Sequence, residues 1–152
     1  MPEFRTMGIA VASGRIGYAV LSQDDKLLDE GASQTAARSP EYAAAKVKAW
    51  IDLVQPGAIV TEKVGSNPRK RGRTLCVMKA VYEAVRESDA ISVTTPKVRR
   101  YKDKYREAAA LAEEFPELLP HVPQKPACWL NEPKRMILFE ALALALRLRE
   151  TR

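Results

Sequence analysis

Three short runs rich in apolar residues open the chain, each bounded by polar turn formers. The runs are MGIAVA (7–12), IGYAVLSQ (16–23) and KLLDEGASQT (26–35). Ser13-Gly14-Arg15 separates the first two, and Asp24-Asp25 precedes the third. Partly β-branched runs of this length between turn residues are typical of β-strands. The chain is therefore predicted to begin with three antiparallel strands.

Helical and extended patterns then alternate. Ser39-Pro40-Glu41 combines a capping residue, a proline and an acid, which indicates the start of a helix that ends before Pro56-Gly57. The segment AIVTEKV (58–64) is almost wholly apolar before Glu62 and predicts a strand buried on both faces. Residues 74–88 follow the helical period, and 90–95 read as another strand.

The last part of the chain is predicted to be helical around a proline-rich loop. Residues 106–115 favour a helix that Pro116 interrupts, and 119–129 form the loop. Residues 132–150 are apolar nearly all round, which predicts a helix buried against the sheet. The order β-β-β-α-β-α-β-α-α predicts an α+β fold with a mixed sheet, in which helix crossovers lead into parallel strands.

Length and composition predict one soluble domain spanning residues 1–152. The chain has 152 residues with 46% hydrophobic content, enough for one core. No run has the length of a signal peptide or a membrane span, so we expect a cytoplasmic protein. Cys76, Cys128 and His121 show neither metal-site nor disulfide spacing and are interpreted as ordinary side chains.

Positive charge is concentrated in two segments. The net charge is +6 with a pI near 9.4, which permits a polyanionic partner. NPRKRGR (67–73) and PKVRRYKDKYR (96–106) each follow a predicted strand. Loops at such strand ends converge on the ligand side of an α/β sheet.

Two acids occupy positions that would otherwise be apolar. Glu62 ends the buried strand, and Glu140 lies inside the apolar final helix FEALALAL (139–146). A buried carboxylate is costly unless it meets a cation or another partner. Both residues are therefore candidates for a functional site.

With these motifs the chain resembles the RuvC branch of the ribonuclease H-like superfamily, the Holliday junction resolvases. GIAVASGRIGY (8–18) is similar to the family's first hairpin, with Gly8 and Gly17-Tyr18 in place. VTEK (60–63) resembles its central strand end, and TTPKVRRYK (94–102) its Pro-x-x-Lys-type segment. EALALA (140–145) is similar to its final DALALA motif.

The chain departs from this family at the first strand. The family's aspartate slot holds Ala10, or Val11 if the turn is counted differently. An additional acid of some members would fall on Met136 or Ile137, and Glu132 is the nearest spare acid. Each of these differences removes a carboxylate from the expected catalytic set.

The resemblance implies a metal-dependent endonuclease that cleaves branched DNA during recombination. Its catalytic positions would be Glu62, Glu140 and the slot at Ala10, with Mg²⁺ or Mn²⁺ held by Glu62, Glu140 and Glu132. With alanine at position 10, two-metal catalysis should be severely weakened. The chain would then be inactive in this form.

Three explanations of the alanine are open. In the first, an aspartate at position 10 was replaced by alanine to trap a substrate complex. In the second, the natural protein has lost catalysis and retained nucleic-acid binding. In the third, Asp24 or Asp25 moves into the site. The sequence does not separate the first two.

The basic segments are the predicted nucleic-acid-binding surface. Such side chains neutralise phosphates and position the nucleic acid without reading its sequence. Tyr101, Tyr105 and Trp129 could stack on unpaired bases. The partner is expected to be a four-way junction or other branched DNA, with RNA left open. The predicted contacts are Arg69, Lys70, Arg71, Arg73, Lys97, Arg99, Arg100 and Lys102.

Two further expectations concern assembly and alternative function. Family members are commonly dimers, and the helix at 74–88 is the candidate homodimer interface, although core packing would explain the same residues. A sugar-kinase or actin-type ATPase half shares the strand and helix order. That fold needs a second, matching half, for which 152 residues leave no room.

Overall fold

The computed structural model describes residues 4–67, 70–96, 104–122 and 135–150. The strands of its sheet are β1 (Thr6–Ala12), β2 (Arg15–Leu21), β3 (Leu27–Ser33), β4 (Ala58–Glu62) and β5 (Ile91–Thr95). The helices are α1 (Pro40–Val54), α2 (Arg73–Glu87), α3 (Lys104–Glu114) and α4 (Met136–Glu150). The predicted order of strands and helices is confirmed.

The five strands form one mixed sheet in the order β3-β2-β1-β4-β5. β1 pairs antiparallel with β2, and β2 with β3. β4 is parallel to both β1 and β5. The predicted hairpin is confirmed, with Gly14 at φ 78° in its turn, although Arg15 already belongs to β2. The predicted α+β class with a mixed sheet is therefore confirmed.

One face of the sheet is covered by α1 and α2. Ser39 caps α1, because its hydroxyl oxygen accepts a hydrogen bond from the Tyr42 amide at 3.1 Å. Large side chains from β1, including Met7, Ile9 and Val11, pack here against both helices. Trp50 is buried in this layer, with its ring centroid 4.6 Å from that of Tyr18. This face is a closed apolar core.

The opposite face is covered by α4 and α3. Gly8 and Gly17 lie on this face, and neither has room for a side chain. A Cβ at Gly8 would meet the backbone of Ala141 and Ala145, and one at Gly17 would come within 2.9 Å of the Ile137 side chain. The helix therefore packs directly on the backbone of β1 and β2.

The ends of some elements differ from the predictions. α3 begins at Lys104, two residues before the predicted start at 106. Pro116 does interrupt it, but a 3₁₀ turn then spans Pro116–His121, so the loop predicted from 119 was wrong for residues 119–121. The rest of that loop and residues 132–134 lie outside the described residues.

Among the described helices, none combines the length and the apolar character that crossing a membrane requires. The single domain over 1–152 and the cytoplasmic location stay predictions.

Candidate functional site

The carboxyl ends of the three parallel strands meet at one edge of the sheet. Register pairs Ile9 of β1 with Thr61 of β4, so the next residues along these strands, Ala10 and Glu62, lie side by side. Glu62 in turn pairs with Thr95, the last residue of β5. The strand order thus places Glu62 next to Ala10, the residue that the resemblance assigned to the aspartate position.

A small cavity of about 70 Å³ opens at this edge, between the sheet, α3 and α4. That volume is enough for a few water molecules or an ion with part of its hydration shell. The described lining residues come from β1, β4, the loop before α2, the end of β5, α3 and α4. They are Ala10, Glu62, Lys70, Thr95, Pro96, Glu107, Glu140, Ala143, Leu144 and Arg147.

Ala10, not Val11, faces this cavity. Successive residues of a strand point to opposite faces of the sheet, so only one of the two can lie with Glu62. Ala10 packs with the α4 layer, whereas Val11 belongs to the apolar core under α1 and α2. The alternative left open by the sequence is thereby decided for Ala10.

Glu62 is held by an ion pair. Its side chain is 8% exposed, and its Oε1 lies 3.3 Å from Nζ of Lys70, whose side chain is 14% exposed. The other oxygen, Oε2, is buried and accepts no hydrogen bond. The carboxylate thus has one partnered oxygen and one oxygen left for a further donor or a cation.

The final helix presents one side to the cavity. Glu140, Ala143, Leu144 and Arg147 follow the spacing of one helix face and all line it. Glu140 is only partly buried, in contrast to Ala141 and Leu142, which are fully enclosed in the core. The prediction that Glu140 lies on the site side of this helix is consistent with this placement.

A third acid in the cavity, Glu107 of α3, was missed by the sequence analysis. It lies four residues before Leu111, and Ala108, Leu111 and Ala112 form the buried stripe of that helix. An acid on the apolar stripe of an amphipathic helix was the available signal. It was overlooked because the family motifs do not extend to this helix.

The described side chains do not form a ready-made metal centre. Within the described ranges, no group of three or more His, Cys, Asp or Glu side chains is placed to hold a metal ion. Carboxylate oxygens are the donors that magnesium prefers, and the buried Oε2 of Glu62 is one of them. However, Ala10 offers no ligand, and Lys70 already neutralises Glu62. A two-metal arrangement therefore does not fit these residues as they stand.

Other candidate acids take no part. Asp24 and Asp25 lie in the turn after β2. Because β2 runs antiparallel to β1, this turn lies near the start of β1, at the end of the strands opposite to Ala10. Met136 and Ile137 are fully buried in the core. Glu132 lies outside the described residues, and its proposed role stays a prediction.

Of the basic residues predicted to contact nucleic acid, the structure describes Lys70, Arg71 and Arg73. Lys70 lines the cavity, whereas Arg71 and Arg73 are exposed and do not line it. Arg73 opens α2 and lines a groove with Arg38 next to the β1–β2 turn. Seven residues predicted to contact or stack on nucleic acid lie outside the described ranges: Arg69, Lys97, Arg99, Arg100, Tyr101, Lys102 and Trp129.

The apolar side of α2 is used inside the molecule. Val77, Val81 and Val85 are buried against α1 and the sheet. Core packing thus accounts for the residues that suggested an interface between subunits. The homodimer stays a prediction.

The comparisons with known proteins agree with this architecture. No protein-family model matches the chain, and no curated protein matches it in sequence. Thermus thermophilus RuvC matches in structure with a TM-score of 0.61 and 16% identity, covering 94% of this chain and 92% of that one.

Two further solved structures are resolvases. The Fowlpox virus resolvase, in complex with Holliday junction DNA, matches with a TM-score of 0.60 and 13% identity, over 97% of this chain and 98% of that one. The yeast mitochondrial Holliday junction resolvase matches with a TM-score of 0.53 and 13% identity, over 95% and 77%. The chain therefore has the ribonuclease H-like fold of the RuvC-type Holliday junction resolvases.

Proposed function

We propose that this chain binds branched DNA at the carboxyl edge of its sheet, and that its endonuclease chemistry is disabled by alanine at position 10. One observation carries the proposal: Ala10 lines the same cavity as Glu62 and Glu140. The missing carboxylate is therefore missing from the site itself. Thermus RuvC and the Fowlpox virus resolvase have both been solved with Holliday junctions, which supports the choice of partner.

Charge around the cavity supports DNA as the partner. The net charge of +6 favours a polyanion, and the exposed Arg71 and Arg73 lie within three residues of Lys70, which lines the cavity. Arginine side chains here would neutralise phosphates, with affinity that falls as salt rises. A phosphodiester held by them would lie over the ends of β1 and β4, next to Glu62.

Loss of cleavage follows from the chemistry of position 10. A methyl group cannot ligate a cation or accept a proton, and Lys70 occupies one oxygen of the neighbouring Glu62. Hydrolysis of a phosphodiester needs charge stabilisation and an oriented water, which carboxylate-bound divalent ions supply in nucleases of this type. The Mg²⁺ or Mn²⁺ dependence predicted from sequence stays a prediction for an Ala10→Asp variant.

The test is a pair of gel assays on a labelled four-way junction, with linear duplex of the same sequence as the control for branch selectivity. The unchanged chain is expected to bind the junction more tightly than the duplex and to leave it uncut with Mg²⁺. The Ala10→Asp variant is expected to bind equally and to cut. Addition of Glu62→Gln to that variant should abolish cleavage and leave binding.

The outcomes separate the open explanations. Cleavage gained by Ala10→Asp supports a nuclease in disabled form. Junction binding without cleavage by either protein supports a binding protein that has lost catalysis, and an alanine codon in the native gene would agree with it. Failure of both proteins to prefer the junction over the duplex contradicts the proposed function.

A further inference from the structure

Lys70 differs from the other described basic residues of its loop. Its side chain is 14% exposed, whereas Arg71 and Arg73 are exposed. Lysine side chains are mostly exposed, and one that is largely enclosed needs a partner for its ammonium group. Here the partner is Glu62, with 3.3 Å between Nζ and Oε1. The loop therefore delivers one positive charge into the cavity rather than to solvent.

The charges lining the cavity are unequal. Among the residues that the structure describes, three acids line it, Glu62, Glu107 and Glu140, together with two cations, Lys70 and Arg147. Their formal sum is −1 with Lys70 in place and −2 without it. A divalent cation would supply the charge that the cavity lacks when the ammonium group is withdrawn.

The Lys70 ammonium group and a divalent metal ion would both need the carboxylate of Glu62. Glu62 is the most enclosed of the acids at this edge, and its second oxygen is buried without a hydrogen bond. A divalent ion bound by Glu62 would lie within a few ångströms of the Lys70 ammonium group, where like charges in a partly buried site repel strongly. Binding of one therefore opposes binding of the other.

We infer that Lys70 is an internal counter-ion of Glu62 that competes with a divalent cation for the cavity. The inference rests on the proposed function only in treating this cavity as the nuclease-type site. In this arrangement the ammonium group of Lys70 takes the place that a cation bound to Glu62 would occupy. Metal entry then requires Lys70 to leave Glu62.

The test is a titration of the DNA-free, full-length chain with Mn²⁺. Binding is monitored through the decrease in the electron paramagnetic resonance signal of the free ion. The Lys70→Met variant keeps the length of the side chain and removes its charge. It is expected to bind Mn²⁺ at least about tenfold more tightly than the unchanged chain. The matched Arg71→Met variant, in the same loop but exposed, should stay within about twofold.

A double variant identifies the carboxylate. Lys70→Met with Glu62→Gln should lose the gain in Mn²⁺ affinity. Equal affinity of Lys70→Met and the unchanged chain would overturn the inference, and so would a gain that survives Glu62→Gln. The same gain in Arg71→Met would show that loop charge alone, rather than the ion pair, sets the affinity.

Folding is checked by circular dichroism on each variant. Lys70→Met leaves Glu62 without its ammonium partner, so its melting temperature should fall in metal-free buffer and recover with Mn²⁺. If that variant does not fold, Lys70→Gln carries the test, because its amide still donates a hydrogen bond but bears no charge. Its Mn²⁺ affinity should also exceed that of the unchanged chain, and equal affinity would overturn the inference.

The DNA assays stay independent of this result. Junction binding measured without divalent ions tests the proposed partner, whereas the Mn²⁺ titration contains no DNA. If the unchanged chain does not prefer the junction but Lys70→Met binds Mn²⁺ more tightly, only the proposed function is contradicted. Junction preference with no competition would contradict the role of Lys70 alone.

Discussion

The two faces of strand β1 follow opposite packing rules. Toward α1 and α2 it presents Met7, Ile9 and Val11, which fill an apolar core. Toward α4 it presents Gly8 and Ala10, which leave room for the helix itself. The first face is stabilised by the volume that it fills. On the second face, the small size of Gly8 and Ala10 lets α4 approach the strand closely.

The difference between the faces positions the candidate site. Because Gly8 lets the backbone of α4 lie directly on β1, Glu140 is brought to the cavity that Glu62 also lines. A larger residue at position 8 would move the helix and its acid outward. The small-residue face therefore serves geometry, and the filled face serves stability.

The largest expected effect comes from emptying the filled face. Ile9 is 1% exposed, and Ile9→Ala should lower the free energy of unfolding by about 2–5 kcal/mol, since it leaves a cavity in a packed core. Urea denaturation measures the loss. A loss below about 1 kcal/mol would mean that the core under α1 and α2 rearranges easily to fill the cavity.

Filling the opposite face should cost somewhat less. Gly8→Ala places a methyl group against the backbone of Ala141, and overpacking of this kind costs about 1–3 kcal/mol. Gly17→Ala is the comparison variant, because its methyl group comes closest to side-chain atoms of Ile137, at 2.9 Å, rather than to the backbone of α4. The same denaturation experiment should rank Gly8→Ala as the more destabilising change. The reverse ranking would contradict the direct contact between α4 and β1.

A carboxylate at position 10 tests the charge of the site. Ala10 is 3% exposed, so Ala10→Asp adds a buried acid near Glu62 and should destabilise the metal-free protein by about 1–3 kcal/mol. Mn²⁺ should raise the melting temperature of the variant more than that of the unchanged chain. Equal responses to Mn²⁺ in the two proteins would argue against a metal ligand at this position.

The smallest effect concerns the polar group on the filled face. The Tyr18 hydroxyl donates a 2.9 Å hydrogen bond to Asp29 Oδ2, and burial, then this bond, raise the pKa of Tyr18 well above its ordinary value of 10.0. Tyr18→Phe should cost about 0.5–1.5 kcal/mol near neutral pH, the usual worth of one hydrogen bond.

The pH dependence of this contribution has a definite sign. Above pH 10.0 the unfolded chain loses the Tyr18 proton and the folded chain keeps it, so stability should fall as pH rises further. Denaturation of Tyr18→Phe across the same alkaline range should show a shallower fall. Parallel curves for the two proteins would contradict a raised pKa at Tyr18.

Local pattern was sufficient for most of the elements and for part of the site. Capping at Ser39, turns at Gly14 and the apolar run before Glu62 are properties of neighbouring residues, and the structure confirms the elements that they predict. Glu62 and Glu140 stood out because each interrupts an apolar pattern. Both line one cavity.

The remaining features depend on contacts between distant residues. Strand register decided that Ala10 rather than Val11 faces Glu62. The docking of α3 brought Glu107 to the cavity, and a loop turned Lys70 inward while its neighbour Arg71 remained exposed. The inward position of Lys70 leaves no periodic signal in the chain, so the sequence placed it only among the surface cations. Glu107 did interrupt the apolar stripe of α3, but only the docking of that helix decided that this acid lines the cavity.

The sequence by itself determined the order of strands and helices, the basic character and the two acids out of pattern, because propensity, periodicity and charge are local properties. Only the tertiary structure decided which side of β1 carries the site and which cation meets Glu62. Sheet register and close helix packing sum many weak contacts over long separations. That sum placed Ala10 beside Glu62 and formed the ion pair of Lys70 with Glu62.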